Sequence, residues 1–392
     1  MNVSKELNNF SDLRIDQVST MLLVAEVKKG NLKAISSVRP RPETGCVDQI
    51  NGGFVTYTAT KYAIRAIRDE VFGFRFEYPL ETVPEAGPQD SLHYYLYSEN
   101  LSWDVMKLDP HGIPRARTRL MGEFYRPSLI AWWGLVNLGH YLRHHDDPSL
   151  ERFLSQLDWL ERNAVIRTDG GVVWPNNFDC LQGSTLFTAP WVSAVDHGFI
   201  LSAIVRGFRM TRRESLFKLL RNGSRVFELD VQEGGVRVPV EHGVLYTELP
   251  GGPEPGILDG FMTALLGLYD LAIETGDPKV SQLFADGIQG LVWQLPHWNY
   301  GDKWSWYGCR AYLCPPSYHN LNRLLLETLG RLSGEACLTQ LAERWNPQHL
   351  SFLGRAQIYV GFLITKNACR IRHRTWRHSE EKVHSAAAQR SQ

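Results

Sequence analysis

The chain has 392 residues, of which 43% are hydrophobic, and this composition excludes a disordered protein and suffices for one large domain or two unequal ones. Lysine and arginine number 42 against 42 aspartates and glutamates, so the net charge is zero. Balanced charge gives no global attraction for nucleic acid or an acidic surface, so any affinity for an anion must be local.

The N-terminal residues predict a cytoplasmic protein that does not span a membrane. Residues 1–17 are polar and acidic, whereas a secretory signal begins with basic residues and an apolar run. The apolar residues 21–27 end at Lys28 and Lys29 and are too short to cross a bilayer. The expectation of a cytoplasmic protein would change if a longer natural N-terminus carried an export signal.

Sequence texture divides the chain into four predicted regions. Residues 1–55 have no sustained period and are predicted to be an N-terminal extension. Residues 56–118 are rich in Val, Thr, Phe and Tyr with partial alternation, which predicts a β-rich segment, although a helix is an alternative for residues 63–69. Helical periodicity fills residues 119–366, and the basic residues 367–392 are predicted to be a disordered tail.

The helical region predicts a fold class of α+β, mainly α. A hairpin-like insertion with glycines at its turns is expected at residues 233–249. Helices that come in pairs with long loops between pairs predict an α/α toroid, an incomplete (α/α) barrel of helical hairpins, after the β-rich segment. The apolar spacing predicts helices at residues 129–142, 150–160, 193–210, 213–229, 256–275, 278–294, 319–331, 334–345 and 353–365.

Aromatic residues are concentrated in the loops between the predicted pairs, and they allow two interpretations. Rings around a concave end would stack on sugar faces, which predicts a carbohydrate groove. Alternatively, the same rings fill the interior of a large helical domain. The residues are Trp174, Trp191, Trp298, Trp304, Trp306, Tyr307 and Tyr318.

Residues 305–324 carry the side chains with the clearest chemical potential. Tyr307 and Arg310 are three residues apart, so one turn can direct both at one point. Pro315 and Pro316 interrupt any helix before Tyr318. Two phenols and a guanidinium predict a site for an anionic substrate, whereas packing tyrosines and a structural ion pair are the alternative.

No cofactor or metal is predicted. The six cysteines are scattered, and the close pair Cys309 and Cys314 has no second Cys or His pair at zinc-finger spacing. The chain has neither a glycine-rich dinucleotide loop nor a P-loop.

Five blocks resemble, in order and spacing, the C-terminal domain of the D-glucuronyl C5-epimerases. They are APWVSAVDHGFILSAIVRGF (189–208), EGGVRV (233–238), LPGGPEPGILDGFMTALLGLYDL (249–271), WYGCR (306–310) and SYHNLNRLLL (317–326). The resemblance covers residues 125–345 and is to a divergent, bacterial-type member. It implies strands followed by an α/α toroid, often a homodimer, and epimerisation of D-glucuronate to L-iduronate within an anionic polysaccharide such as heparosan.

Carried over by position, the resemblance implies that Glu248, Tyr307 and Tyr318 are catalytic. The sequence departs from the family pattern at Leu249, which replaces a tyrosine, at His197, which replaces a glutamine, at Asp259, which replaces an asparagine, and at Asn322, which replaces a histidine. Tyr246 is near enough in sequence to take over from the missing tyrosine. The expected substrate-binding residues are Arg310, Tyr246, His197, His319, Trp191 and Trp306.

The predicted chemistry is removal of the C5 proton and return of a proton to the opposite face. Arg310 would neutralise the uronate carboxylate, Glu248 and Tyr318 would flank the ring, and Tyr307 would position the sugar or share the proton. A polysaccharide lyase is the nearest alternative, because the same C5 anion can expel the O4 substituent. A non-catalytic uronan-binding relative is the third.

Overall fold

The structure, a computed structural model, describes residues 68–373 except 69, 77, 100–106, 119–121, 183–184, 253–255 and 309–311. The α-helices of these residues are α1 (Pro127–His144), α2 (Asp147–Arg162), α3 (Ala194–Thr211), α4 (Glu214–Asn222), α5 (Arg225–Glu228), α6 (Leu258–Thr275), α7 (Pro278–Trp298), α8 (Pro316–Ser333), α9 (Ala336–Arg344) and α10 (Phe352–His373). The strands are β1 (Glu81–Thr82), β2 (Leu96–Tyr97), β3 (Ala116–Thr118), β4 (Gly122–Phe124), β5 (Val165–Ile166), β6 (Val172–Val173), β7 (Cys180–Gln182), β8 (Thr185–Phe187), β9 (Arg237–Pro239), β10 (Val244–Tyr246), β11 (Asn299–Tyr300), β12 (Trp304–Tyr307) and β13 (Tyr312–Leu313).

The helices pack as successive pairs. Consecutive helices contact each other in the pairs α1/α2, α3/α4, α6/α7 and α8/α9, and the first helices of these pairs contact one another in the order α1, α3, α6, α8. The predicted mainly helical class is confirmed. The described residues form a row of pairs and no closed barrel, so the toroid stays a prediction. None of the described helices is both long and apolar enough to cross a bilayer.

Helices α3 and α6 meet backbone to backbone at two glycines. A Cβ on Gly198 would lie 2.4 Å from the carbonyl oxygen of Thr263, and a Cβ on Gly267 would lie 2.4 Å from the carbonyl oxygen of Gly198. These distances are below van der Waals contact, so no other residue type fits at either position without moving a helix. The crossing therefore fixes how the beginnings of α3 and α6 lie beside each other.

The β-rich prediction fails for most of the described N-terminal residues. Residues 70–73 are helical, and residues 78–99 contain only the two-residue strands β1 and β2, paired antiparallel. Their aromatic side chains are instead buried among the helices, where Tyr95 donates a hydrogen bond to Asp270 at 2.7 Å. Arg206 ion-pairs with Asp270 at 2.6 Å and donates to the carbonyl oxygen of His93. Alternating aromatics here fill a helical core and do not build a sheet.

Two helix boundaries differ from prediction. The expected helix at residues 213–229 is divided into α4 and α5 at Gly223, whose backbone N–H donates to the carbonyl oxygen of Leu220. Helix α10 continues to His373, past the predicted start of a disordered tail at residue 367, and it buries Lys366 near its end. The predictions for residues 1–67 and 374–392 lie outside the described residues.

Two small sheets deliver side chains to the beginnings of the helices. The predicted hairpin is confirmed as β9 and β10, with Tyr246 opposite Arg237. Directly after β10, the carbonyl oxygen of Thr247 accepts a hydrogen bond from Ala194 N at the start of α3, with an N–O distance of 3.1 Å. The three-stranded sheet β11-β12-β13 brings Tyr307 to the start of α8.

The close contact between α3 and α6 predicts that alanine is destabilising at Gly198 and tolerated at Gly354, a glycine outside this contact. Gly198→Ala should lower the free energy of unfolding by about 1–3 kcal/mol, because the new methyl group meets the backbone of α6. Gly354→Ala in α10 is the matched control: its nearest neighbour would be Ser351 Oγ at 3.4 Å, so the substitution should be neutral or raise stability by up to about 1 kcal/mol. Urea denaturation of both variants checks this, and equal effects would contradict the close crossing.

Candidate active site

Four of the packed helices begin at one buried cluster, and each contributes a polar side chain to it. Arg126 directly precedes α1, Asp196 lies in the first turn of α3, Asp259 in the first turn of α6, and Tyr318 in the first turn of α8. Helix N-termini carry a partial positive charge and unpaired backbone N–H groups, which favour acidic and phenolic side chains. No side chain caps any of these four N-termini.

Glu248 lies at the centre of the cluster and is ion-paired. Its Oε1 is 3.6 Å from Nη2 of Arg126, whose Nε is 4.0 Å from Oδ1 of Asp196. Asn176 donates a hydrogen bond from Nδ2 to the other oxygen of Asp196. Glu248 is 1% exposed and Arg126 is 5% exposed, so the ion pair is almost free of solvent screening.

A glycine makes room for the Glu248 carboxylate. A Cβ at Gly260 would lie 2.3 Å from Oε2 of Glu248, so only glycine permits this carboxylate to lie against the first turn of α6. Gly260 is the glycine of the block LDGFM, which resembles the family, and the lack of a side chain is what this position requires.

Tyr307 and Tyr318 pack edge to face beside the carboxylates, with ring centroids 5.7 Å apart. Burial, reinforced by the nearby charges of Asp259 and Glu248, raises the pKa of Tyr318 well above its ordinary value. Burial also raises the pKa of Tyr307, with smaller contributions from Tyr312, Tyr318 and the same carboxylates. Both phenols therefore hold their protons at neutral pH.

Two buried polar atoms of the cluster have no partner among the described residues. They are the hydroxyl of Tyr318, which is 2% exposed, and Oδ1 of Asp259, which is 7% exposed. Burial raises the pKa of Asp259 to about 7. Unsatisfied buried polar atoms carry a free-energy cost, and at one place on two helices they indicate a binding site for a polar ligand.

Two predicted binding residues lie in the hydrophobic core, outside the cluster. Tyr246 donates its hydroxyl proton to the carbonyl oxygen of Leu283 at 2.7 Å, so the hydroxyl is directed at α7 and away from Glu248. His197 has Nδ1 2.8 Å from the carbonyl oxygen of Ser193, and burial lowers its pKa. Its ring packs edge to face on Trp174.

His319 supports the cluster from behind. Its Nδ1 accepts a hydrogen bond from the backbone N of Ser305 at 3.1 Å, which leaves Nε2 to donate to the carbonyl oxygen of Trp345 at 2.8 Å. The ring stacks on Trp304 at 3.5 Å, and burial lowers its pKa to about 3. A neutral His319 thus connects α8 to β12, the strand that ends at Tyr307.

The remaining predicted residues differ in their relation to the cluster. Trp191 is buried in the same apolar group as Tyr307 and Tyr318 and donates from Nε1 to the carbonyl oxygen of Phe178 at 2.8 Å. Trp306 is half-buried, with its ring edge to face with that of Tyr300. Arg310 lies outside the described residues.

The aromatic loops serve mainly as core, which was the alternative interpretation. The rings of Trp174, Trp298 and Trp304 are at most 1% exposed. Each indole N–H donates to a backbone carbonyl, those of Leu160, Gly256 and Cys314, respectively. These three rings therefore do not line an open groove.

Sequence reasoning missed Arg126 and gave Asp196 and Asp259 no catalytic role. Arg126 precedes Pro127, the first residue of α1, and only this position at a helix start could have indicated that it lies beside other helix starts. Asp259 was identified only as a replacement for the asparagine of the family pattern, and spacing could not reveal that the helices of Asp196 and Asp259 begin together.

Most of this cluster lies in a region that is similar to a known protein family. Residues 168–347 match the family described as D-glucuronyl C5-epimerase C-terminus. The match supports a divergent relative of this family over residues 168–347, which are less than half of the chain. The matched region holds Asp196, Glu248, Asp259, Tyr307 and Tyr318, whereas Arg126 precedes it.

The relatives are distant and longer than the region they share with this chain. A D-glucuronyl C5-epimerase of Caenorhabditis elegans is 26% identical over 211 residues, which are 49% of this chain and 34% of that protein. The uncharacterized protein MJ1128 of Methanocaldococcus jannaschii is 24% identical over 199 residues, 50% of this chain and 64% of that protein. The chain thus covers less than two thirds of either relative.

Structural similarity to a solved protein is weak. A crystal structure of a D-mannose isomerase aligns with 74% of this chain and 69% of its own, with 13% sequence identity and a TM-score of 0.39. A score this low carries no argument about function.

Removal of the buried guanidinium should be far more damaging than removal of an exposed one. Arg126→Met leaves two buried carboxylates without their cation and should lower the free energy of unfolding by about 3–5 kcal/mol near neutral pH. The loss should shrink at acidic pH, where the carboxylates can protonate. Arg213→Met, which breaks an ion pair 36% exposed on the arginine side, should cost less than about 1 kcal/mol. Denaturant titrations that give equal losses would contradict this assignment.

Proposed function

We propose that the chain is a polysaccharide uronate C5-epimerase that converts D-glucuronate to L-iduronate residues within an anionic polymer. The similarity of residues 168–347 to the C5-epimerase family supports epimerase chemistry in general. The observation that carries the proposal is the meeting of an ion-paired carboxylate, Glu248, and a buried neutral phenol, Tyr318, at one cluster. A carboxylate paired with a cation and a phenol that keeps its proton are a candidate base and a candidate acid for a two-face proton transfer.

Glu248 is the proposed base. Its Oε1 lies 3.6 Å from Nη2 of the Arg126 guanidinium. The first turn of α6 lies against the Glu248 carboxylate at Gly260, and the preceding Thr247 is hydrogen-bonded to the start of α3. A carboxylate that the fold already holds at the site can accept a proton with little reorganisation.

Tyr318 is the proposed acid on the other face of the sugar. Its raised pKa keeps the proton on the oxygen, and its hydroxyl lacks a hydrogen-bond partner within the described residues. Tyr307 packs against the Tyr318 ring and, in this proposal, positions both the ring and the sugar.

The reaction balances without a cofactor. The C5–H bond breaks, the proton goes to Glu248, and the electron pair moves into the C5–C6 bond to form an enediolate on the uronate carboxyl group. A new C5–H bond then forms on the opposite face with the proton of Tyr318. Exchange with water returns Glu248 to the ionised form and Tyr318 to the neutral form.

The family resemblance adds Arg310 as the partner of the uronate carboxylate. A guanidinium pairs with a carboxylate through two parallel hydrogen bonds and would lower the cost of the second negative charge. Trp191 and Trp306 are proposed to contact neighbouring sugars of the polymer.

Hydrogen exchange at C5 tests the proposal. Proton NMR of heparosan and other uronate polymers in deuterated water should show loss of the C5 proton signal with chain length unchanged. Glu248→Gln and Tyr318→Phe should each slow exchange by about 10²–10⁴-fold, because each removes one proton-transfer group. Tyr359 lies on α10 and donates its hydroxyl proton to the carbonyl oxygen of Val71. The control variant Tyr359→Phe removes that hydroxyl and should catalyse C5 exchange at the normal rate.

The alternatives predict different products. New unsaturated uronate ends and shorter chains would identify a lyase. Polymer binding without exchange on any uronan would identify a non-catalytic relative and would overturn the epimerase proposal.

A further inference from the structure

Asp259 is a buried acidic group that the proposed proton transfer leaves without a role. It is the second residue of α6, it is 7% exposed, and its Oδ1 has no hydrogen-bond partner in the part of the chain that the structure describes. The hydroxyl of Tyr318, on α8, is likewise unsatisfied. The charge of Asp259 is close enough to raise the pKa of Tyr318. Two orphaned polar atoms from different helices point to a ligand that satisfies both.

Resting on the proposed epimerase function, we propose that Asp259, in its neutral form, donates a hydrogen bond to the carboxylate of the bound uronate. No covalent bond to Asp259 forms or breaks. The same hydrogen bond strengthens when C5 loses its proton, because negative charge then accumulates on the uronate carboxyl oxygens.

The charges of the cluster favour a neutral acid at this position. The buried carboxylates of Asp196 and Glu248 pair with the guanidinium of Arg126, and the Asp259 carboxyl is buried on the first turn of α6, which lies against Glu248. A uronate would bring a fourth carboxylate. Protonation of Asp259 removes one negative charge and supplies a donor at the same atom. Burial raises the pKa of Asp259 to about 7, so the neutral form is substantially populated at neutral pH.

Burial shifts the pKa values of the ionisable groups near Asp259 away from neutral pH, so the change of protonation near pH 7 is expected at Asp259 itself. Burial raises the pKa values of the Tyr307 and Tyr318 phenols and of the Cys314 thiol, each of which interacts electrostatically with Asp259. These neighbours come from β12, the residues before α8 and α8 itself. The charged groups of the same cluster are Arg126 before α1, Asp196 in α3 and Glu248 after β10.

Binding of a heparosan oligosaccharide, measured by calorimetry from about pH 5.5 to about pH 8.5, tests the proposal. The affinity of the unsubstituted protein should fall by up to about tenfold per pH unit above about pH 7, because the binding-competent neutral fraction falls by that factor. Asp259→Asn keeps a donor that does not titrate, so its affinity should be independent of pH. Asp259→Leu removes the donor and should bind weakly throughout.

The pH dependence of the free energy of unfolding tests the protonation of Asp259 without a ligand. The native chain keeps the Asp259 proton between about pH 4 and about pH 7, whereas the unfolded chain loses it, so stability should decrease as pH rises through this window. Asp259→Asn should lack this contribution. The same slope in both proteins would overturn the assignment.

The outcomes separate this inference from the proposed function. A pH-independent affinity of the unsubstituted protein, or an unchanged slope in Asp259→Asn, would overturn the role of Asp259. The predicted binding profile without any C5 exchange would support the hydrogen bond and overturn catalysis by Glu248 and Tyr318.

Discussion

The backbone contact between α3 and α6 at Gly198 and Gly267 is the constraint on which the site depends. It brings the two helices closer than side chains would permit, so that their first turns lie side by side. Asp196 lies two residues before Gly198, and Asp259 lies one turn before the Thr263 carbonyl that Gly198 meets. The same principle is repeated at Gly260, where a missing side chain admits the Glu248 carboxylate. The positions of these three glycines thus determine where the carboxyl groups of Asp196, Asp259 and Glu248 come together.

Exclusion of water gives this cluster its chemical character. In this low-dielectric region burial keeps Tyr318 protonated and raises the pKa of Asp259 to about 7, while Glu248 and Asp196 pair with the Arg126 guanidinium.

Periodicity predicted the helices well because each has one apolar face that must be buried, and the boundaries of α6 and α7 agree with the apolar spacing to within a few residues. It failed at residues 78–99, since alternating tyrosines pack into a helical core as readily as into a sheet. Motif spacing predicted Glu248 and Tyr318, which lie in the buried cluster, and it also predicted Tyr246, whose hydroxyl donates to the carbonyl oxygen of Leu283 in the core. Arg126 was invisible because its role depends only on where α1 begins in space.

The central claim is that Glu248 and Tyr318 lie on opposite faces of the uronate ring. A crystal structure of Glu248→Gln with a glucuronate-containing oligosaccharide tests it most directly. The sugar C5 should lie between residue 248 and the Tyr318 hydroxyl, with the reacting atoms about 3–3.5 Å from each. An oligosaccharide bound away from the helix starts, or with both side chains on the same face of the ring, would contradict it.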